Sequence, residues 1–312
     1  MKKILVLGGF GFLGSNILKT IDSSCSDIYR AIVLDRIPSH PFGLKFGCVE
    51  RVHTGDFSDE SFLTRVFEEN DVDMVIHSVS TTIPLGTNNA RFDIESNLVP
   101  TIKLLDCMLE HGVKDMVFIS SGGAIYGDGT KGAHTEDENA YPISSYGVVK
   151  LTVEKYLMQY ASLYGLRPLI LRLSNPYGPY HYSMRQGLIN VALSSACKKL
   201  KFNVWGDGTA KKDYIYVGDF TTVLFQLIQK QIYSTIINVG SGQIASVNQI
   251  LDAIQKIEPS FAWEYKEGSK LDVSHFELDT SLLKSIIGQY DFVSLDEGIK
   301  RTYDWVKTVR CD

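Results

Sequence analysis

Near its start the chain reads ILVLGGFGFLG over residues 4–14. A short apolar run is followed at once by a glycine-rich loop, and the residues after that loop have helical spacing. A strand, a glycine-rich turn and a helix in this order are typical of dinucleotide-binding folds, in which the backbone approaches a pyrophosphate at the helix N-terminus. The residues expected to contact that pyrophosphate are Gly8, Gly11, Phe12, Leu13 and Gly14.

Acidic residues follow the next two apolar runs. Asp35 stands 21 residues after Gly14, at the end of the second predicted strand, where a carboxylate accepts the ribose hydroxyls of a dinucleotide. This favours NAD because the carboxylate would repel a 2′-phosphate, while Arg36 beside it leaves NADP open. Asp56 and Phe57 follow the third predicted strand, where Asp56 either meets the adenine amino group or caps the next helix.

Short apolar runs alternate with helical patterns through the first half of the chain. Most of these runs lack apolar/polar alternation, which predicts parallel strands buried on both faces, in a doubly wound sheet of the Rossmann type. The predicted strands are residues 4–7, 31–34, 51–53, 74–77, 116–120, 169–173, 215–217 and 236–239. The predicted helices are residues 13–20, 60–70, 93–110, 145–164 and a helix through 257 that opens with a capping box of Ser246 and Gln249.

The pattern changes after residue 173, where turn-forming residues interrupt it. We therefore expect an NAD-binding Rossmann domain over residues 1–175, with later elements from about 213–260 returning to it. Residues 176–212 and 261–312 are expected to form a smaller C-terminal substrate-binding lobe. No single linker is expected to divide the two.

Composition limits the classes of function. The chain has 312 residues, 44% of them hydrophobic and 21% charged, and its net charge of -5 argues against a nucleic-acid partner. No apolar stretch approaches the length of a membrane span, and the first apolar run is too short for a signal peptide, so a cytoplasmic protein is expected. Five scattered cysteines without a CxxC pair predict reduced thiols, and no metal site is expected.

A tyrosine and a lysine stand four residues apart in SSYGVVK, residues 144–150. On a helix, Tyr146 and Lys150 lie on one face, where the ammonium can favour the phenolate. The pKa of a phenol, near ~10, must fall by roughly 3, or about 4 kcal/mol, for it to act as a base near neutrality. One lysine is not expected to supply all of this, and an oxidised nicotinamide would add a second cation. Tyr303 and Lys307 have the same spacing without that context.

Further motifs follow in order: SSGGAIYG at residues 120–127, RLSNPYGP at 172–179 and DYIYV at 213–217. Together with the glycine loop, the acidic residues and the tyrosine–lysine pair, they resemble the extended short-chain dehydrogenase/reductases, and among these the nucleotide-sugar epimerase/dehydratase branch. The resemblance runs from Lys2 to about Trp305 and implies NAD as cofactor and a nucleotide-sugar substrate. Apolar stripes on the helices at 93–110 and 145–164 also allow pairing across the axis of a homodimer.

The resemblance implies a role for each matching residue. Tyr146 would remove the proton of the sugar C4 hydroxyl while the C4 hydride passes to the nicotinamide, and Lys150 would hold the nicotinamide ribose and lower the pKa of the phenol. The 4-keto sugar would turn over and take the hydride back on its other face, which regenerates the cofactor. The implied activity is C4 epimerisation of a nucleotide-activated sugar, with surface polysaccharide synthesis as the expected pathway.

The hydroxyl that assists the tyrosine departs from the family pattern. Gly122 occupies the usual serine or threonine position, so Ser121 is expected to reach the sugar through a flexible pair of glycines, Gly122 and Gly123. The alternative is a strand-end serine bonded to backbone. Glycines at these positions cannot supply the acid pair of a dehydratase, which disfavours dehydration.

The expected diphosphate contacts depart from the pattern too. An arginine is usual where Lys212 stands, and another near Ser269 or Lys270, so Arg185 becomes a candidate for this role. Lysine supplies charge but no bidentate fork, and Lys212 is otherwise a solvated surface residue.

Other polar residues follow predicted strands. Asn175 aligns with the family asparagine that touches the substrate phosphate or sugar, unless it only forms a turn before Pro176. Ser78, Ser80 and Thr82 come after the fourth strand, where they line the cofactor or the sugar unless they only cap the loop.

Two other functions remain open. A reductase of a nucleotide-linked 4-keto-6-deoxy sugar would use the same residues with net transfer of hydride from NADH or NADPH. A cofactor-binding regulatory protein would keep the fold without turnover. Gly122 and the missing arginines suggest the regulatory protein, whereas the intact pair of Tyr146 and Lys150 argues against it.

Overall fold

The computed structural model describes residues 1–82, 89–127, 132–267 and 274–310. Its strands are β1 (Lys2–Leu7), β2 (Tyr29–Asp35), β3 (Val49–Thr54), β4 (Met74–His77), β5 (Asp115–Ser121), β6 (Arg167–Leu173), β7 (Asn175–Tyr177), β8 (Phe202–Trp205), β9 (Lys211–Tyr216), β10 (Thr235–Val239), β11 (Ile244–Ser246), β12 (Trp263–Lys266) and β13 (His275–Phe276). Its helices are α1 (Phe12–Thr20), α2 (Glu60–Glu68), α3 (Ala90–Asp93), α4 (Val99–Glu110), α5 (Gly122–Ile125), α6 (Ser145–Tyr164), α7 (Leu188–Cys197), α8 (Val217–Gln229), α9 (Val247–Ile257), α10 (Ser281–Ile287) and α11 (Leu295–Arg310).

Seven of these strands form one sheet in the order β3-β2-β1-β4-β5-β6-β10. Each neighbouring pair in it is parallel. The apolar runs are buried on both faces, as parallel strands between two layers of helices require, and the residues from Ile4 to Leu7 have no exposed surface. The predicted doubly wound Rossmann sheet is confirmed.

Helices cover both faces of this sheet. Helices α1 and α8 pack on one face through residues such as Ile17 and Val223. Helices α4 and α6 pack on the other face through residues such as Leu104 and Leu157. Because every strand runs in the same direction, all their carboxyl ends lie along one edge of the sheet, where ligands of such folds bind.

A smaller lobe is built around β9. This strand pairs with β7, β11 and β13, while β8 and β12 form a separate two-stranded sheet. Helices α7, α9 and α11 share an apolar core that contains Ile189, Ile250 and Ile299. Within residues 213–260, helix α8 and strand β10 join the large sheet, whereas β11 and α9 pack in the lobe.

Two predicted elements differ from the structure. The helix predicted at 93–110 is interrupted by a π-helical turn, Ile94–Leu98, and Pro100 in the first turn of α4 has no N–H to donate to the preceding turn. The strand predicted at 215–217 ends at Tyr216, and Val217 opens α8, whose first turn is stabilised by the carboxylate of Asp219.

Helix capping follows the sequence in one place and not in another. The capping box of Ser246 and Gln249 at the start of α9 is present as predicted. The cap of α2 is Asp59, whose carboxylate accepts the Phe62 N–H at 3.1 Å, so the prediction of Asp56 as a helix cap is wrong.

The cysteines do not all share one state. Cys25, Cys48 and Cys107 carry free, buried thiols. Cys197 is disulfide-bonded, so the prediction of five reduced thiols is wrong at this residue. Within the described ranges, no helix is long and apolar enough to cross a bilayer, and no three side chains of His, Cys, Asp or Glu are grouped as metal ligands.

Candidate active site

The carboxyl ends of the strands bring the predicted residues to one edge of the large sheet. Gly8 follows β1, Asp35 ends β2 and Ser121 ends β5. The Gly8 N–H donates to the Leu34 carbonyl at 2.8 Å, and the Gly55 N–H donates to the Asp35 carbonyl at 2.9 Å. These bonds continue the parallel ladder past the strand ends and fix the loops that follow.

The glycine loop leaves the start of α1 open to a ligand. Gly8 has a left-handed backbone with φ 73°, and the Gly11 N–H donates to the Gly8 carbonyl at 3.0 Å. Gly11 is the N-cap of α1 and has no side chain that could bond the first turn. The N–H groups of Phe12, Leu13 and Gly14 are therefore left for a ligand, and such groups bind a pyrophosphate. The loop thus fits NAD.

Asp35 both supports the glycine loop and faces the expected ribose position. Its carboxylate accepts the Phe10 N–H at 3.0 Å and the Ile37 N–H at 3.3 Å. Burial and the charge of Asp35 raise the pKa of the Tyr182 phenol, whereas the charge of Arg36 lowers it. Tyr182 lies in the loop that leads to α7, so the smaller lobe approaches the cofactor edge. Sequence reasoning missed this tyrosine because no local motif marks it.

We expect Asp35→Asn to weaken NAD binding about tenfold, because a charge-assisted hydrogen bond contributes about 1.5–3 kcal/mol and the amide lacks the charge. The ratio of NAD affinity to NADP affinity should also fall, since the carboxylate no longer repels a 2′-phosphate. Dinucleotide titrations monitored by protein fluorescence measure both affinities. Asp71→Asn, at a fully exposed carboxylate 3.7 Å from Lys3 at the amino end of β1, is the matched control and should change neither affinity. An unaltered NAD preference in Asp35→Asn would contradict this role.

The residues after β3 and β4 line the same edge. Asp56 is exposed and its carboxylate accepts a backbone N–H two residues on at 2.9 Å. Phe57 is buried with its ring edge-on to His77, at 5.5 Å between ring centres. The Ser78 hydroxyl donates to the Leu7 carbonyl at 2.6 Å, which joins β4 to β1.

Asn97 organises the loop after β4, and sequence reasoning missed it because it lies within a helical pattern. Its Nδ2 donates to the Thr82 hydroxyl at 3.5 Å, and its Oδ1 accepts the Thr81 N–H at 2.9 Å. The Ser80 hydroxyl donates to the Thr82 carbonyl at 2.9 Å. These residues, with Tyr146 and Lys150, line a cavity of about 10 Å³, which is room for about one water molecule.

Helix α6 carries the tyrosine and the lysine in its first two turns. The Ser144 side chain caps the helix by accepting the Gly147 N–H at 3.2 Å, and Gly165 ends it with a left-handed backbone, φ 70°. A Cβ on Gly147 would overlap the Ala124 carbonyl oxygen. This close approach fixes the start of α6 against α5, next to the carboxyl end of β5.

Two serines act on the phenol of Tyr146. Burial raises the pKa of Tyr146 to about 12, and hydrogen bonds from Ser121 and Ser80 lower it in part. Bringing this pKa to neutrality requires about 7 kcal/mol, which exceeds the value for an exposed phenol because the buried phenolate lacks solvation. The need for a second cation is therefore greater than the sequence suggested.

Lys150 points into the sheet. Its Nζ donates to the Ile119 carbonyl at 2.9 Å and lies 4.6 Å from the centre of the Phe118 ring and 5.9 Å from the centre of the Tyr146 ring. Burial lowers the pKa of Lys150 to about 8, although the charge of Glu154 raises it. The lowering of the phenol pKa by the Lys150 ammonium stays a prediction.

The two glycines after Ser121 are not a flexible link, contrary to the prediction. They form the first turn of α5. A Cβ at Gly122 would lie 3.0 Å from side-chain atoms of both Phe276 and Leu278, which occupy the space that a serine or threonine would need. Ser121, one residue earlier, lowers the pKa of the phenol, and its contact with the sugar stays a prediction.

The candidate substrate contacts lie on the lobe side of the same edge. Asn175 belongs to β7 and its Nδ2 donates to the Asp213 carbonyl at 2.9 Å, so it is a strand residue and not part of a turn. Lys212 is half-buried on the neighbouring strand β9. Arg185 is exposed in the loop before α7. The region around Ser269 and Lys270, where the family has a second arginine, lies outside the described residues.

A buried carboxyl, Asp213, supports this region. It has no exposed surface, and its Oδ1 accepts the Ser241 N–H at 3.2 Å and the Ser241 hydroxyl at 3.4 Å. Its Oδ2 faces Gly240 and has no hydrogen-bond partner within the described parts of the chain. Burial raises the pKa of Asp213 to about 7, although the bonds from Ser241 and Gly242 lower it.

Asp213→Asn should remove part of the pH dependence of stability. The unfolded carboxyl ionises near pH ~4, so between this value and about 7 the unfolded state binds fewer protons than the folded one. The free energy of unfolding of the wild type should fall by roughly 4 kcal/mol as the pH rises through this window. The asparagine resembles the neutral acid. The free energy of unfolding of the variant should therefore equal that of the wild type near pH ~4 and exceed it above neutrality. Urea unfolding at several pH values measures this, and parallel stability curves would contradict it.

Fold and site together define an enzyme of the Rossmann class with NAD as its cofactor. A model of the NAD dependent epimerase/dehydratase family matches residues 4–240. The chain is 32% identical to a putative UDP-glucose 4-epimerase of Methanocaldococcus jannaschii, over 97% of this chain and 98% of that protein. It is 24% identical to a dTDP-4-dehydro-6-deoxyglucose reductase of Escherichia coli, over 99% of this chain and 98% of that protein.

One similar protein has been solved with NAD bound. The UDP-glucose 4-epimerase of Thermus thermophilus in complex with NAD is similar with a TM-score of 0.88 and 26% identity, over 98% of this chain and 99% of that chain. This chain belongs to the NAD dependent epimerase/dehydratase family. The predicted resemblance is confirmed, and the protein is an enzyme acting on nucleotide sugars.

Proposed function

We propose that this protein inverts the C4 centre of a nucleotide-activated sugar through a transient 4-keto sugar, with a UDP-hexose as the first candidate. The observation that carries the proposal is that Ser80, Tyr146 and Lys150 line one cavity, with the Lys150 Nζ 5.9 Å from the centre of the Tyr146 ring, at the sheet edge that holds the glycine loop. The names of the relatives from Methanocaldococcus jannaschii and Thermus thermophilus support this reaction.

The proposed roles of the side chains follow from their positions. Tyr146 takes the proton of the C4 hydroxyl and returns it at the end of the cycle, and Ser121 donates a hydrogen bond that steadies the phenolic oxygen. NAD, when bound, would supply the hydride acceptor and donor that a transient 4-keto sugar requires. Lys150 holds the nicotinamide ribose. No net oxidation occurs, so no added cofactor is consumed.

Two related reactions fit less well. Dehydration needs an acid pair at the start of α5, where Gly122 and Gly123 carry no side chain to supply it. Reduction of a 4-keto-6-deoxy sugar would use the same residues, and the reductase of Escherichia coli, at 24% identity, supports it as the second candidate.

The substrate is identified by incubating the purified protein with UDP-, dTDP-, GDP- and CDP-sugars without added cofactor and examining the products by NMR. Inversion at C4 supports epimerisation. Turnover of 4-keto sugars only, with stoichiometric consumption of NADH or NADPH, would replace it with the reductase function. Tightly bound NAD without turnover of either kind would favour the regulatory protein.

We also propose a homodimer formed through α4 and α6. Apolar side chains on and before these helices are 39–62% exposed, and a patch of this kind is unusual on a monomer. They are Ile94, Val99, Val148, Tyr156 and Leu163. Sedimentation analysis of the purified protein tests the assembly. A cytoplasmic location stays a prediction from the apolar pattern of the sequence, and a role in polysaccharide synthesis stays a prediction from the resemblance.

A further inference from the structure

A buried ion pair lies below the tyrosine and the lysine on the same helix. Glu154 has no exposed surface and Arg172 on β6 is 2% exposed. The Arg172 Nη2 donates to the Glu154 Oε2 at 2.8 Å, and its Nε donates to both carboxylate oxygens at 3.2 Å. The Ser120 hydroxyl donates to the Glu154 Oε1 at 2.6 Å. The carboxylate is therefore fully bonded by groups of β5 and β6.

The position of this pair relates it to the candidate active site. Glu154 is four residues after Lys150 and eight after Tyr146, so the three side chains succeed one another on one face of α6. Ser120, which bonds Glu154, is the neighbour of Ser121, which lowers the pKa of the phenol. The same network thus fixes both the helix that carries the phenol and the strand end that carries its hydroxyl partner.

Arg172 extends the network to the turn that follows Ser121. Its Nη1 donates to the Tyr126 hydroxyl at 2.7 Å and to the Glu136 carbonyl at 3.2 Å. The Tyr126 hydroxyl donates in turn to the Asn238 Oδ1 at 2.8 Å, on β10. Tyr126 directly follows α5. Helix α6, the turn α5 and strands β5, β6 and β10 are held by one set of buried polar contacts.

A buried ion pair is a weak source of stability, because the cost of desolvating two charges offsets most of their attraction. What the ion pair can change is the charge state of Lys150, four residues before Glu154 on α6. This ammonium is buried against the Phe118 ring and the Ile119 carbonyl. Such a site favours the neutral amine unless a negative charge lies nearby.

The charged and titratable groups around Lys150 are few. Tyr146 and Glu154 face it from α6, and Arg172 acts on it from β6 through Glu154. His77 approaches from β4, and burial together with the charge of Lys150 lowers the pKa of His77 to about 3, so the imidazole is neutral. Glu154 is therefore the anion that opposes the burial of Lys150.

We propose that Glu154, held by Arg172 and Ser120, is a positioning residue that keeps Lys150 in its charged form and sets the orientation of α6 toward Ser121. The inference rests on the proposed role of Lys150 in holding the nicotinamide ribose. Loss of the ammonium then weakens NAD binding whether or not a sugar is turned over. A test based on NAD affinity is therefore separable from the test of epimerisation.

The experiment measures NAD affinity as a function of pH for the wild type and Glu154→Gln. Burial lowers the pKa of Lys150 to about 8, so the NAD affinity of the wild type should fall as the pH rises above this value. This fall is the alkaline limb of the titration. In Glu154→Gln the fall should begin about one pH unit lower, as expected when an adjacent opposite charge is removed. A purely structural role would lower the urea midpoint and leave the alkaline limb in place. An unmoved limb in the folded variant, or a wild type without a limb, overturns the proposal.

Additional variants keep the test decisive. Glu154→Asp retains the charge and should restore the wild-type limb. The double variant of Glu154→Gln and Arg172→Met removes both charges and leaves no unpaired buried ion. It replaces Glu154→Gln in the pH titration if that single variant does not fold. Its limb should lie between those of the wild type and Glu154→Gln, and a limb equal to that of the wild type overturns the proposal. Glu297→Gln breaks an exposed pair with Arg301, 2.7 Å apart, and should shift nothing.

Discussion

Tyr146→Phe should lower the turnover number by about a thousandfold, the middle of the range for the loss of a general base. The substitution removes one oxygen atom, which carries the proton in the proposed reaction and belongs to the phenol whose pKa Ser121 and Ser80 lower. The ring still packs beside Lys150, so the variant should fold. Its NAD affinity should change by less than about twofold. Turnover is measured with the substrate found by NMR, and NAD affinity by fluorescence titration.

Tyr303→Phe is the matched control. Tyr303 and Lys307 repeat the spacing on α11, with the ammonium 5.0 Å from the ring centre, but the Tyr303 hydroxyl donates to Glu258 at 2.6 Å in the smaller lobe. This variant should retain wild-type turnover. Turnover within about tenfold of the wild type in Tyr146→Phe would contradict its role as the base.

Gly14→Ala should abolish measurable NAD binding. A Cβ at this position would lie 2.6 Å from the Gly9 Cα and closer still to the Gly8 carbonyl oxygen, both of which are backbone atoms of the glycine loop. The loop must move away from α1 to admit the methyl group, and the N–H groups at the start of the helix then no longer face a bound pyrophosphate. Overpacking of this kind also costs about 1–3 kcal/mol of stability. Fluorescence titration and urea unfolding measure the two effects.

Gly47→Ala provides the comparison. The nearest atom to a Cβ at Gly47 is the Asp22 Oδ1 at 3.7 Å, an ordinary contact, and the glycine lies outside the cofactor loop. Its NAD affinity should equal that of the wild type. Retention of NAD binding by Gly14→Ala would mean that the dinucleotide does not approach the start of α1.

The two proposals about this site differ in what they require. Epimerisation needs the phenol, its serine partner and bound NAD. The role of Glu154 needs only the ammonium and the dinucleotide. If no sugar is epimerised but the alkaline limb of NAD affinity shifts in Glu154→Gln, the positioning role stands and the reaction must be revised.

The sequence predicted those features that depend on neighbouring residues. The apolar run before Gly8, the glycine spacing up to Gly14 and the carboxylate of Asp35 are local patterns, and they predicted the Rossmann sheet and its cofactor edge. The four-residue spacing of Tyr146 and Lys150 predicted their common helix face in the same way. Periodicity is short-ranged, so a single sequence is sufficient for these features.

The tertiary structure decided which side chains meet and how they ionise. Phe276 and Leu278, distant in the chain, pack against Gly122, next to the serine that lowers the pKa of the Tyr146 phenol. The pKa of Tyr146 rises, and that of Lys150 falls, because the completed fold buries both groups. Burial and close packing are sums over residues far apart in sequence, and no local spacing encodes them. The sequence by itself determined the elements and the residue types of the site, and the packing of the whole chain determined their electrostatics.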